Sequence, residues 1–198
     1  MKFIRIVLAI GILCAVAVPA MANTDLAIGA TVTTSGSGID LSPGWCCANY
    51  QPSWIVDGTP EADGTQWNVG SAFWSGAAPD ATDVLTITLN GTYTIDAVVL
   101  QADDNDAYDV QYWNGTGWTD LNDFGAVGGY GLTTRPELYL STPITADAFE
   151  ITNANGDGYY AVGQFEAFAP AVPEPSSSML MLTGLGVLGA LIARRRIA

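Results

Sequence analysis

Histidine is absent from this 198-residue chain, and its one lysine stands at position 2. Those absences remove Ser-His pairs, lysine-activated nucleophiles and imidazole-bound metals from the chemistry available. Basic residues of any kind are scarce. Lys2 and Arg5 lie near the start and Arg194, Arg195 and Arg196 near the end, which leaves Arg135 alone between them. All twenty acids fall between Asp25 and Glu174, so that stretch sets twenty acids against one base, a net charge of −19. Phosphate binding depends on clustered Lys and Arg, so nucleic acid is not expected as a partner. Neutral glycans, cations or basic surfaces suit such a domain better.

Cysteine is nearly missing as well. Cys14 lies in an N-terminal apolar run, and only the neighbours Cys46 and Cys47 remain beyond it. Adjacent cysteines close a strained ring or pair with separate partners, so even in an oxidising compartment they cannot staple the fold. Paired carboxylates are the one hydrolytic chemistry left. No pair stands out among so many acids, and no enzyme is expected.

The two ends have their own character. Residues 4–18 are apolar, preceded by Lys2 and Arg5 and followed by Ala20-Met21-Ala22. This is the layout of a secretory signal peptide over residues 1–22, cleaved before Asn23. Residues 169–177 form a Pro/Ser-rich linker. Residues 178–198 hold an apolar run that approaches the length of a bilayer span, with Arg194 to Arg196 holding its end in the cytoplasm. Gly184, Gly186 and Gly189 spell G-x-G-x-x-G in that run, but the chain ends before the acid a dinucleotide site needs. They read as small residues of a membrane helix.

Val172-Pro173-Glu174-Pro175, then the apolar run, then Arg194, Arg195 and Arg196, resembles a PEP-CTERM sorting signal. The resemblance implies a Gram-negative, exopolysaccharide-producing source. It also implies an exosortase that recognises the motif and removes or transfers the tail, leaving the protein at the cell surface or in the extracellular matrix.

Between the ends, β-branched and aromatic residues alternate with polar ones and are bounded by Gly, Asn and Asp, the pattern of successive strands. Strands are expected at residues 26–33, 84–89, 92–101, 108–113, 137–140, 146–152 and 159–168, with no amphipathic helix. Asn90-Gly91 and Asn114-Gly115 are expected as hairpin turns; each begins an Asn-Gly-Thr glycosylation pattern, which hairpins explain more simply. Residues 35–52, 60–82 and 125–134 read as long loops, which in compact domains are usually functional or mobile. The expected fold is all-β: a single jelly-roll β-sandwich over residues 23–168, flanked by the signal peptide and the transmembrane sorting helix.

The sandwich region resembles the discoidin, or coagulation factor type C, family. The similarity runs through Leu26 to Thr33, Ile55-Val56-Asp57-Gly58, Leu85 to Leu89, Tyr93 to Leu100, Tyr108 to Trp113 with Gly117-Trp118, and Gln164 to Phe168. It implies a galactose-binding-type jelly roll that binds carbohydrate through loops at one end. It also implies a structural Ca2+ held by Asp57 and Glu166, with backbone oxygens near Asp63 and Thr65 completing the shell of hard oxygens. An insertion at residues 60–64 departs from the family's short loop and puts the inner ligands in question.

All six tryptophans lie in this region. Trp113 and Trp118 are expected in the core, and Trp67 or Trp74 matches the family's structural tryptophan. Trp45, Tyr50 and Trp54 in the first long loop, with Tyr130 and Arg135 from another, are the candidate glycan contacts. The acidic run Asp103-Asp104-Asn105-Asp106, reaching Asp109, lacks the glycine and distal glutamate of an EF-hand and reads as an exposed turn. Two functions remain open: a non-catalytic carbohydrate-binding module of the polysaccharide matrix, or a structural or protein-interacting matrix component with no specific glycan.

Overall fold

Alternating apolar side chains build eight strands in the computed structural model, which describes residues 24–36, 51–76, 80–170 and 184–186. They are β1 (Thr31–Ser35), β2 (Ala72–Ser75), β3 (Asp80–Asp103), β4 (Ala107–Trp113), β5 (Trp118–Phe124), β6 (Leu132–Thr134), β7 (Leu138–Asn155) and β8 (Tyr159–Phe168). A 3-10 turn, Pro52–Val56, precedes β2, and the fixed φ of Pro52 suits its first position.

Every pairing is antiparallel. The hydrogen-bonded order is β2-β8-β3-β7-β4-β5, with β1 and β6 also on β3. The two long strands serve both layers of the jelly roll. The first part of β3 pairs with β1 and with the end of β7, which in turn carries β4 and β5. Its second part pairs with β8, β6 and the start of β7, and β2 edges this layer beyond β8. Phe149 belongs to the first layer and Phe165 to the second, and their rings meet at 4.8 Å across the core. Leu85, Ile87, Val110 and Ile151 from one layer pack in the same cluster as Leu100, Val162 and Phe165 from the other. Thr24–Pro170 is thus a compact unit with a core of its own, the condition for folding independently.

Asn90-Gly91 does not turn the chain back. β3 continues through it, and four residues, 89–92, oppose Asp147 alone in β7 between the pairs Thr88 with Ala148 and Tyr93 with Ala146. Gly91 sits in a bulge that bends the strand from one layer toward the other. Asn114-Gly115 does make its hairpin: Asn114 N donates to Gly117 O at 3.1 Å, and Gly115 takes φ +93°, which a side chain would oppose. Trp113 and Trp118 are not core residues. They stack edge to face at 5.5 Å at the tip of this hairpin, with Trp118 37% exposed. The core tryptophan is Trp74, 1% exposed, packed on Tyr108 and Tyr160 and donating from Nε1 to Asn153 Oδ1 at 3.1 Å.

The second layer is covered on its outer face as well. Phe73, Leu132 and Ala161 form a small separate core with Trp67 packed against it. Segment 51–71 lies over this face, and Ile55 and Val56 from its 3-10 turn enter the main core.

Candidate functional site

The turn between β3 and β4 gathers neighbouring loops into a rim at one end of the sandwich. Asp104 O accepts from Val127 N (2.9 Å) and Gly128 N (3.1 Å), while Asp104 N donates to Gly131 O (3.0 Å). Asp157, between β7 and β8, donates from its backbone N to Asp106 Oδ1 at 3.2 Å and accepts from Asn105 Nδ2 at 3.0 Å. The loop around Ala62 to Thr65 joins through Gly64 N to Leu132 O and Leu132 N to Thr65 O, both 2.8 Å. Gly131 permits this closeness: its φ is +65°, and a Cβ there would collide with the Thr65 carbonyl.

Arg135 organises the turn. It was expected among the glycan contacts, but it is 3% exposed and its guanidinium is spent inside the protein. Nη1 donates to Ala102 O (2.7 Å) and Thr133 O (2.9 Å), and Nη2 to Asp103 O (2.5 Å) and Asp106 O (3.1 Å). A single planar cation with a fork of donors suits such a ring of carbonyls. It also lies 5.9 Å from the centre of the Tyr108 ring. Arg135 therefore supports the rim from beneath and is not a ligand group.

Nor is the acidic run the exposed turn expected of it. Asp103, Asp104 and Asp106 are buried and only Asn105 of the turn reaches solvent. Burial pushes the Asp106 carboxyl up to about 7, with the charges of Asp103 and Asp157 adding to the effect. Burial likewise raises Asp103 to about 6, aided by Asp104 and Asp157. Asp106 Oδ2 is buried without a hydrogen-bond partner.

Aromatic rings are displayed around this rim. Tyr130 is 66% exposed on the loop next to Gly64, and Tyr159, at the start of β8, is 52% exposed. Tyr159 lies 6.0 Å from the half-buried Trp67, which is braced edge to face against Phe73 at 5.4 Å. Neither Trp67 nor Tyr159 was among the ligand candidates. Trp67 was one of two matches, with Trp74, to the family's structural tryptophan, and Tyr159 read as an ordinary strand residue. Trp54 is partly exposed on the 3-10 turn of the covering segment, while Trp45 and Tyr50 lie outside the described residues, as do Cys46 and Cys47.

The proposed calcium donors are not brought together. Asp57 is exposed and its Oδ1 accepts from Thr59 N at 2.7 Å. Asp63 Oδ1 accepts from both the N and Oγ1 of Thr134 at 2.9 Å, and these bonds hold its carboxyl below the ordinary range. Thr65 donates its hydroxyl to Ala62 O, and its own carbonyl is taken by Leu132 N. Glu166 is half-buried on β8 opposite Val99, raised by burial and then by the charges of Asp25 and Glu137, not those of Asp57 or Asp63. Among the described residues no three of Asp, Glu, His or Cys converge as a metal-holding group. The donors present do not fit the expected calcium site.

Residues 171–196 match the PEP-CTERM protein-sorting motif. The chain carries a PEP-CTERM sorting signal. Val172, Pro173, Glu174, Pro175, Arg194, Arg195 and Arg196 all fall within it, although they lie outside the described residues, where only Gly184 to Gly186 of the tail is seen, as helix. Among the described residues no helix is long and apolar enough to cross a membrane. The motif indicates an exported protein.

Comparison with curated protein sequences finds no match. Among solved structures the sandwich is similar to the family 32 carbohydrate-binding module of C. perfringens NanJ, solved in complex with galactose. The TM-score is 0.50 at 14% identity, covering 74% of this chain and 99% of that one. A CBM32 module from Clostridium perfringens, in complex with GalNAc-beta-1,3-galactose, is similar with TM-score 0.50 at 13% identity, covering 74% and 100%. These likenesses establish the fold alone, an antiparallel jelly-roll β-sandwich.

Proposed function

We propose that the chain bearing this sorting signal is an exported, non-catalytic glycan-binding protein whose ligand rests on the aromatic rim formed by Trp67, Tyr159 and Tyr130. The observation that carries this reading is the Trp67 and Tyr159 ring pair, 6.0 Å apart with Tyr159 52% exposed, at the start of β8 beside the hydrogen-bonded loops of the rim. Sugar rings present flat C–H faces to such surfaces, and carbonyls and carboxylates around the rim receive their hydroxyls. The two solved modules, each bound to a galactose-containing sugar, support the same class of ligand. With Arg135 buried and every other charge between Asp25 and Glu174 negative, the ligand is a neutral polysaccharide and not a uronate or sulfated one. An exosortase reading Val172 to Pro175 would release the domain from its membrane-spanning tail to the cell surface or the surrounding polysaccharide matrix.

Titration of the Thr24–Pro170 unit calorimetrically against a panel of neutral and uronate-containing polysaccharides tests the reading. Saturable binding to a neutral glycan is expected, weakened about tenfold or more in Tyr159→Ala, as for an aromatic anchor at the centre of a binding surface. Failure to bind any glycan would leave a structural or protein-interacting matrix domain as the function.

A further inference from the structure

Gln101 on β3 and Gln164 on β8 stand directly opposite each other and are 0% and 1% exposed. They lie on the outer face of the second layer, the one covered by segment 51–71. A buried primary amide is costly unless its donors and acceptor are met. Here the covering segment meets them. Gln101 Nε2 donates to Glu61 O at 2.7 Å, and its Oε1 accepts from Glu61 N at 3.0 Å, so one amide closes on both backbone groups of one residue. The same Nε2 reaches Thr134 Oγ1 at 3.0 Å. Gln164, with its amide oriented to satisfy both neighbours, donates from Nε2 to Trp54 O at 3.0 Å and accepts at Oε1 from Gly58 N at 2.9 Å.

These bonds use the oxygens a cation would need. Trp54 O and Glu61 O accept from the two glutamines, Ala62 O from Thr65 Oγ1, and Thr65 O from Leu132 N. Calcium replaces its water with six to eight oxygens, several of them carbonyls; a carbonyl keeps a second lone pair, but here the carbonyls face N–H and O–H donors, whose hydrogens a cation would repel. Space is reserved for the amides as well. Gly163 forms the bulge between the pairs Gln101 with Gln164 and Ala102 with Val162, and a Cβ on it would lie 2.7 Å from Gln101 Oε1.

We infer that Gln101 and Gln164 form an amide latch that seats segment 54–61 on the sheet in place of the calcium ion expected there. The covering loop therefore closes in the absence of any divalent cation. Because Ala62 to Thr65 and Trp67 follow directly from the latched segment, the latch also fixes one side of the rim.

Thermal unfolding of the Thr24–Pro170 unit, in chelator and in calcium at about 10 mM, tests this directly, since extracellular calcium modules bind in roughly the 10⁻⁴ to 10⁻³ M range. A ion that binds only the folded state would raise the midpoint by several degrees. The native protein is expected to melt within about 1 °C in the two buffers at this precision. Gln164→Glu keeps the volume but sets a carboxylate oxygen against the Trp54 carbonyl in place of a donor. In chelator it should melt about 5 °C or more below the native protein and be cleaved sooner by protease within residues 57–65. A native midpoint that rises in calcium overturns the inference, whatever the variants do. So does a Gln164→Glu protein as stable and as protease-resistant in chelator as the native one.

Discussion

Acidification should stabilise this domain, and Asp106 should account for much of the gain. Its carboxyl is buried and titrates at about 7 when folded, against 3.8 for an ordinary aspartate. Below 3.8 the folded and unfolded chains both carry the proton. Between 3.8 and about 7 the folded chain keeps a proton the unfolded chain has lost, so stability falls as pH rises; above about 7 the loss is complete. At about 1.4 kcal/mol per pH unit, the shift corresponds to roughly 4 kcal/mol as an upper figure. The groups facing Asp106 are Asp103, Asp157, Arg135, Tyr108 and Tyr160, and Asp103, raised to about 6, titrates coupled to it. Asp25, Asp109, Glu150 and Glu166 are also raised by burial and add slope of the same sign. Asp63, which is lowered, acts oppositely, and its contribution is lost as pH falls through the acid range. Asp106→Asn removes the charge and keeps the shape. In urea unfolding it should exceed the native protein by only about 1 kcal/mol near pH 4.5 and by on the order of 2–4 kcal/mol near pH 8, and show a shallower pH slope between them. A native stability that is flat or rising from pH 4.5 to 8, or an Asp106→Asn protein with the native slope, would refute the reasoning.

Two further outcomes are expected from the same unfolding assay. Arg135→Ala leaves the carbonyls of Ala102, Asp103, Thr133 and Asp106 without their donor and the buried acids without their cation. It should cost about 3–5 kcal/mol, and Arg135→Lys should recover only part of that because one ammonium cannot span the ring. Trp74→Ala empties the main core and should cost about 3–5 kcal/mol, whereas Trp118→Ala, at an exposed hairpin tip, should stay within about 1 kcal/mol. Equal losses for the two tryptophans would place the hairpin in the core after all.

The layers were legible in the sequence wherever apolar residues alternate, because a strand half-buried on one face must repeat every second residue. Leu85, Ile87 and Leu89, or Phe165 and Ala167, could hardly pack otherwise. β5 escaped notice because Trp118-Thr119-Asp120-Leu121-Asn122-Asp123 is a largely polar edge strand, and β2 and β6 because three or four residues carry no period. Asn90-Gly91 has the composition of a hairpin turn and forms a bulge, since its conformation is set by β7 running past on the other side and not by the two residues themselves.

The site was harder to read for a related reason: its members are joined by register across strands, and register is a property of pairs. Gln101 and Gln164 are each a polar residue in an apolar strand. Only their being opposite one another, beneath one covering segment, turns two costly buried amides into a latch. An acidic run likewise reads as solvated unless its counter-ion is known. Here one signal was present: a domain of net charge −19 keeps a single base, and a lone cation in such a field is worth most where water cannot screen it. Arg135 sits there, gathering the carbonyls of the acidic turn, and the burial it makes tolerable raises Asp103 and Asp106 toward neutral pH. The rim that carries Tyr130 and Tyr159 is consequently tied to a proton-sensitive floor on one side and to a cation-independent latch on the other.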